Sequence, residues 1–402
     1  METKARAMVL EKFNEPLVMR TFPIPGLKEG EVLVKIEAAG VCGSDVHMWE
    51  GRDPRIRLPM ILGHEGVGEI VEMNGEKRDV YGNPLHVGDK VLWNRGVTCG
   101  RCYFCKVKME PSLCPHRWVY GIHTSCAESP YLTGNYTEYL PLVREVDLFK
   151  IESETDLQVL VPASCSGATA AHAFDLSRME SGDSVLVQGV GPLGIFAVSF
   201  AKSFGASQII VIGGTEERLN MCKTFGATLI LNRHKLSKKE REEAVMEVTH
   251  GRGIDVAFEM AGELDAMKES ISLTRTGGAC VSAGFAEPRG TIDLDCFHDI
   301  GRKNLRLQGV WVSEVRHTHM ALQLMLSRME DFKKLITHRF PLSRANDAIQ
   351  VMKTREAVKA ILLPHSAHVS SPLVGEDEGG GNQYPPPPYP PPSKGEDEGR
   401  RS

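Results

Sequence analysis

From residue 183 onward five short runs rich in Val, Ile and Leu recur, SVLVQG, QIIVIG, TLILN, DVAFEM and ACVSAG, each separated from the next by a helix-length segment. Runs this apolar belong to strands covered on both faces, and strands that alternate with helices pair in parallel through crossovers. The pattern predicts a doubly wound α/β domain. The first run ends in G-x-G-x-x-G at Gly189, Gly191 and Gly194, and IFAVSFAKSFG continues as a helix. With a strand before and a helix after, these glycines bring a dinucleotide pyrophosphate against helix N-terminal amides. A glycine turn that binds nothing is the alternative.

Before about residue 160 the texture is different: runs such as EVLVKIEAAGV and GVGEIVEM are punctuated by Gly, Pro and Asp turns, which predicts a β-rich lobe. After about residue 300 the pattern turns mixed, with a helical segment RANDAIQVMKTRE and a last apolar strand VKAILLP, as expected of a chain returning to its first lobe. The divisions are 1–165 (β-rich), 166–300 (nucleotide-binding), 301–364 (return) and 365–402. The last segment holds eight of the 23 prolines and repeats GEDEG at 375–379 and 395–399, so it has little to bury and is expected to be disordered.

At 402 residues and 42% hydrophobic side chains the chain can bury a sizeable core. A formal charge of −5 offers no basic excess for nucleic acid, and no run of about 18 uncharged apolar residues or apolar leader appears, so a cytoplasmic protein without membrane or nucleic-acid partners is expected. Ten cysteines are too few for a disulfide scaffold in such a chain, and four crowd between 99 and 114. Cys99, Cys102, Cys105 and Cys114 follow C-x2-C-x2-C-x8-C, a spacing that lets four thiolates close on a tetrahedral structural zinc with no position left for substrate. An iron–sulfur cluster is the competing reading.

Two further stretches, VCGSDVH at 41–47 and LGHEGVG at 62–68, place Cys42, His64 and Glu65 at glycine-flanked turns. Either alone is weak, since a lone buried Cys or His is more often inert core. Together with the four-cysteine lobe and the glycine loop, they resemble the zinc-containing alcohol dehydrogenases of the medium-chain dehydrogenase/reductase family, over about residues 5–364. The resemblance implies a GroES-like β-rich catalytic domain beside a Rossmann nucleotide-binding domain, a homo-oligomer (dimer or tetramer), and two zinc ions, one catalytic and one structural. It assigns Cys42, His64 and, 24 residues before Gly189, Cys165 as catalytic-zinc ligands, with Glu65 as an acid able to close on the metal. Asp45 steadies the histidine, and Ser44 and His47 relay the proton. Thr169 is implied at the nicotinamide and Lys359 at the pyrophosphate. The family's common last gap in the cysteine cluster is seven residues, one fewer than here.

Metal chemistry explains the residue types. A divalent cation lowers the pKa of bound water from 15.7 to about 7, and the same Lewis acidity acts on an alcohol. A hydroxyl at Ser44 and an imidazole at His47 suit a proton path. The cofactor is NADP or NAD: where an NAD enzyme usually ends its second strand in an acid, this chain has Gly213 and Gly214, and Thr215 and Arg218 are placed to approach a 2′-phosphate. Arg95, four residues before the first cluster cysteine, is built for a carboxylate, and Trp49 for a pocket wall, although an arginine turned to a local acid and a core tryptophan are the plainer readings. The expected activity is reversible hydride transfer between NAD(P) and a small secondary alcohol or its carbonyl, a polyol or sugar acid by preference. A zinc-free reductase of the same superfamily and a catalytically silent nucleotide-binding protein are the alternatives.

Overall fold

The computed structural model describes residues 3–366; the tail expected to be disordered lies, from residue 367 on, outside the described residues. The five apolar runs become parallel strands of a six-stranded sheet. Its order is Leu229–Asn232, Gln208–Gly213, Ser184–Gln188, Ile254–Glu259, Thr274–Ser282, Arg306–Gly309, so sequence order reads 3-2-1-4-5-6. Such an order reverses direction beside the first strand, and the crevice at that switch point takes the ligand. Ser184–Gln188 is buried at every position, as a central parallel strand must be. The sixth strand, RLQG, is mostly exposed at the sheet edge.

The β-rich part centres on a seven-stranded sheet whose path runs Leu148–Ile151, Lys90–Trp93, Gly66–Met73, Val32–Val41, Lys359–Leu363, Ile336–Pro341, with Tyr139–Leu142 also paired to Val32–Val41. The returning strand VKAILLP thus pairs antiparallel with the first lobe, Ala360 opposite Val41. One hydrophobic cluster joins both parts: Ala38, Val67, Leu92 and Phe149 are buried with Val185, Val187, Val211 and Phe258. Because the two sheets share this core, the rims that face each other across the cleft are held in fixed relation. Among the described residues no helix is long and apolar enough to cross a membrane.

Candidate metal centres and dinucleotide cleft

Cys42 is the N-cap of the short helix Gly43–Trp49, and its amide donates to Asp45 Oδ2 at 2.7 Å. The other carboxylate oxygen of Asp45 lies 3.3 Å from His64 Nδ1, which turns His64 Nε2 toward Ser44 Oγ and Cys165 Sγ, each at 3.4 Å. Cys165 stands at the start of the helix Ser166–Ser177. The flanking glycines are needed: Gly63 has φ +90° and lies against the Tyr136 ring, and a Cβ on Gly40 would run into the Glu65 carboxylate. The ligand atoms of Cys42, His64, Glu65 and Cys165 all lie within 4.8 Å of one another.

The donor chemistry fits zinc. Two thiols, an imidazole and a carboxylate from three separate segments converge in a site where His64, Glu65 and Cys165 are buried. Glu65 Oε1 has no hydrogen-bond partner there. The site also favours positive charge: burial opposes charge on His64, but Asp45 and then Cys42 outweigh it and hold the imidazole up at about 9.

Cys99, Cys102, Cys105 and Cys114 form a second group, again with sulfurs within 4.8 Å of one another. The extra residue in the last gap is absorbed by a helical turn Phe104–Lys108 and a tight turn Pro111–Leu113, which return Cys114 Sγ to 3.5 Å from Cys99 Sγ. The backbone amide of Arg101 pulls the Cys99 thiol down to about 6, whereas burial, then Cys102 and Cys114, push Cys105 up to about 12. Four crowded sulfurs cannot all ionise without a cation among them, and a closed tetrahedral zinc meets that need.

A cleft of about 660 Å³ runs from Cys42, Ser44, His47 and Cys165 past Thr169 and the glycine loop to Gly213, Gly214, Thr215 and Arg218. Gly189 sits at φ +110° against Ala261, and a Cβ on Gly194 would overlap the Gly189 carbonyl, so these two glycines permit close packing of loop and helix. Nothing lies within 4 Å of a Cβ on Gly191, which leaves room for pyrophosphate at the N-terminus of the helix Pro192–Ser203.

One assignment needs correction. Trp49 is not among the cleft-lining residues: its indole N–H donates to the Glu15 carbonyl at 2.7 Å and Lys353 caps its ring at 4.7 Å. Lys359 lines the cleft, buried, with its ammonium 2.5 Å from Glu65 Oε2. Arg218 lines the cleft together with Thr215, and its Nη2 donates to the carbonyls of Arg355 and Ala357 at 2.7 and 2.5 Å. Arg95 does line the cleft, buried, with Nη1 2.9 Å from Cys165 Sγ and Nη2 3.3 Å from Thr169 Oγ1.

The structure also brings in residues that sequence reasoning did not single out. Glu287, in the loop after Thr274–Ser282, has Oε2 3.4 Å from His47 Nδ1 and Oε1 2.7 Å from Arg52 and 2.9 Å from Arg289. Burial lowers the His47 pKa and Glu287 partly opposes that. Arg233 and His234 fold over Gly214, where a Cβ would lie 3.2 Å from Arg233 Nε and 2.6 Å from His234 Nε2. Their one signal was position, directly after the third apolar run. Arg117 lines the cleft beside Arg95 with nothing in its local sequence to mark it.

Comparison with known proteins agrees with this geometry. Residues 28–153 match the alcohol dehydrogenase GroES-like domain and residues 192–329 the zinc-binding dehydrogenase family. The chain is 31% identical to 5-exo-hydroxycamphor dehydrogenase of Pseudomonas putida, over 89% of this chain and 98% of that one. It is 30% identical to sorbitol dehydrogenase of Bacillus subtilis, over 90% and 97%. Among solved structures, an alcohol dehydrogenase of Thermotoga maritima is 48% identical with a TM-score of 0.88, covering 90% of this chain and 100% of that one. A structure described as a zinc-binding dehydrogenase of Sinorhizobium meliloti, bound to NADP, is 26% identical with a TM-score of 0.78, over 90% and 100%. The chain is a zinc- and NAD(P)-dependent oxidoreductase acting on CH–OH, and it belongs to the zinc-containing alcohol dehydrogenases of the medium-chain dehydrogenase/reductase family.

Proposed function

We propose that the protein oxidises a small secondary alcohol, a polyol or sugar acid by preference, and reduces the matching carbonyl in reverse. In this reading Cys42, His64 and Cys165 hold the catalytic zinc, with Glu65 beside it, and Cys99, Cys102, Cys105 and Cys114 hold the structural one. The observation that carries it is the convergence of four buried donors within 4.8 Å at one end of a cleft that continues over the glycine loop. When bound, zinc would supply Lewis acidity at the substrate oxygen and the nicotinamide would supply a hydride acceptor.

The chain's own residues do the rest. Asp45 fixes the His64 ring through Nδ1. Ser44 accepts the hydroxyl proton at Oγ and His47 carries it toward solvent; both line the cleft, and the His47 side chain keeps 23% exposure. Thr169 faces the nicotinamide end, while Gly189, Gly191 and Gly194 shape the pyrophosphate seat. We assign NADP as a cofactor used at least as well as NAD, because no acid stands at Gly213 and because Arg233 and His234 lie over Gly214. The names of relatives, sorbitol dehydrogenase and L-threonine 3-dehydrogenase, support a polar hydroxylated substrate. The exposed edge strand Arg306–Gly309, with Leu307 and nearby Trp311, supports a homo-oligomer.

The test is a screen of sugar acids, polyols and simple alcohols against both cofactors, followed by absorbance of the reduced nicotinamide in wild type and Cys165→Ser. Activity with a secondary alcohol that disappears in the variant is the expected result. No oxidation of any alcohol by the zinc-loaded protein would overturn the reading.

A further inference from the structure

Among the arginines that line the cleft, partners divide Arg52, Arg55, Arg95 and Arg117 into two kinds. Arg55 is satisfied by Asp53, at 2.9 and 2.5 Å, and lies 5.2 Å over the Trp311 ring. Arg52 is satisfied by Glu50 and Glu287, at 2.5 and 2.7 Å. Arg95 and Arg117 have no carboxylate within 4 Å among the described residues. Three of their buried donors lack any hydrogen-bond partner: Nε of Arg95, and Nε and Nη2 of Arg117.

The two side chains are built in rather than stray. Gly96 and Val97 pair antiparallel with Val119 and Trp118, so one small ribbon carries both arginines at its ends. The Arg117 guanidinium lies on the backbone of Gly96, where a Cβ would come 2.7 Å from Nε and 2.8 Å from Cζ. Gly96 is therefore the seat that admits it. Arg95 is 9% exposed and reaches to 2.9 Å from Cys165 Sγ, so the pair extends from the metal centre outward along the cleft wall. Buried N–H donors without acceptors are costly to keep, and an incoming oxyanion removes that cost.

We propose that Arg95 and Arg117 form an oxyanion subsite, so that the alcohol substrate carries a carboxylate or phosphate ester close to the carbon that is oxidised. Planar guanidinium forks match either group in bidentate fashion, whereas a neutral polyol leaves both donors of the pair uncompensated. The subsite rests on the dehydrogenase reading above and narrows its substrate class to anions. Arg117 is a specificity residue: it orients the anion and takes no part in proton or hydride movement.

The experiment compares D-gluconate, sorbitol 6-phosphate and sorbitol as substrates of the zinc-loaded enzyme, in wild type, Arg117→Met and Arg117→Lys. The ratio of kcat/KM for the better anionic substrate to that for sorbitol is expected to fall at least tenfold in Arg117→Met, mostly through KM, and by less in Arg117→Lys. The stronger of the two anionic substrates in wild type identifies the oxyanion. In parallel, malonate is titrated calorimetrically into the NADP-loaded proteins, with an expected tenfold loss of affinity in Arg117→Met. An unchanged ratio, or equal malonate affinity in a variant that melts cooperatively, overturns the subsite. If Arg117→Met does not fold, Arg117→Lys and Arg95→Lys carry the same two comparisons. If wild type oxidises no alcohol, the dehydrogenase reading falls and the malonate titration alone decides the subsite.

Discussion

His47 shows how a single side chain acquires its role from residues far away in sequence. Burial favours its neutral form, which is the form that accepts a proton, while Glu287 at 3.4 Å restrains the shift. If Ser44 and His47 pass the proton, His47→Ala slows alcohol oxidation most at lower pH, where solvent base is scarce, with zinc content unchanged. Glu287→Gln removes an anion that stabilises imidazolium, so the His47 pKa falls further and the acidic limb of the kcat/KM profile moves to lower pH. A pH–rate profile identical to wild type in both variants would remove His47 from the mechanism. The four clustered cysteines were legible in the sequence because metal ligation fixes their type and spacing, whereas Cys42 and His64 became so only through the resemblance to zinc-containing alcohol dehydrogenases. Glu287 and Arg117 were not, because a carboxylate or guanidinium gains meaning only from what the fold sets opposite it.

At the scale of elements, legibility followed burial. The central runs announced their strands because both faces are covered, while the sixth strand, RLQG, is a solvent-facing edge and carries no such signature. The strand ends were legible only in part: Gly213 and Gly214 showed that the ribose-binding acid is missing, but not that Arg233 and His234 from the next strand end fill the space. Cofactor choice is tested at that point. Gly213→Asp introduces a partner for a 2′-hydroxyl and repulsion for a 2′-phosphate. It also displaces Val190, whose Cγ2 lies 2.8 Å from the new Cβ, so both cofactors lose some affinity. Steady-state kinetics should show kcat/KM for NADP falling about tenfold more than for NAD, roughly 1.4 kcal/mol of discrimination. Arg233→Gln, which leaves the strand end intact, should lower the NADP value alone. A wild type that strongly prefers NAD, with a ratio indifferent to both changes, would show that another group reads the ribose.

Across the whole molecule, the two metal clusters differ in what else holds their ligands together. The catalytic donors come from segments already fixed by the fold: Cys42 follows the strand Val32–Val41, His64 precedes Gly66–Met73, and Cys165 starts a helix packed in the shared core. The lobe from Cys99 to Cys114 has no such support, since Tyr103, Val107 and Met109 are 54%, 67% and 68% exposed. It is tied to the rest of the chain through Ser112, whose hydroxyl donates to Glu314 at 2.7 Å at the start of the helix Val315–Ser327. Structural zinc in small fingers contributes about 10–16 kcal/mol of apparent binding energy, comparable with the roughly 5–15 kcal/mol that separates most folded domains from unfolded chain. Cys102→Ser should therefore lose one zinc and melt several degrees lower, whereas Cys165→Ser should lose the other zinc and all alcohol oxidation while melting close to wild type. Metal analysis and thermal denaturation of the two purified variants decide the matter. A single zinc in fully loaded wild type, or a Cys165→Ser protein that melts as low as Cys102→Ser, would mean that the chain does not divide folding and chemistry between its two clusters.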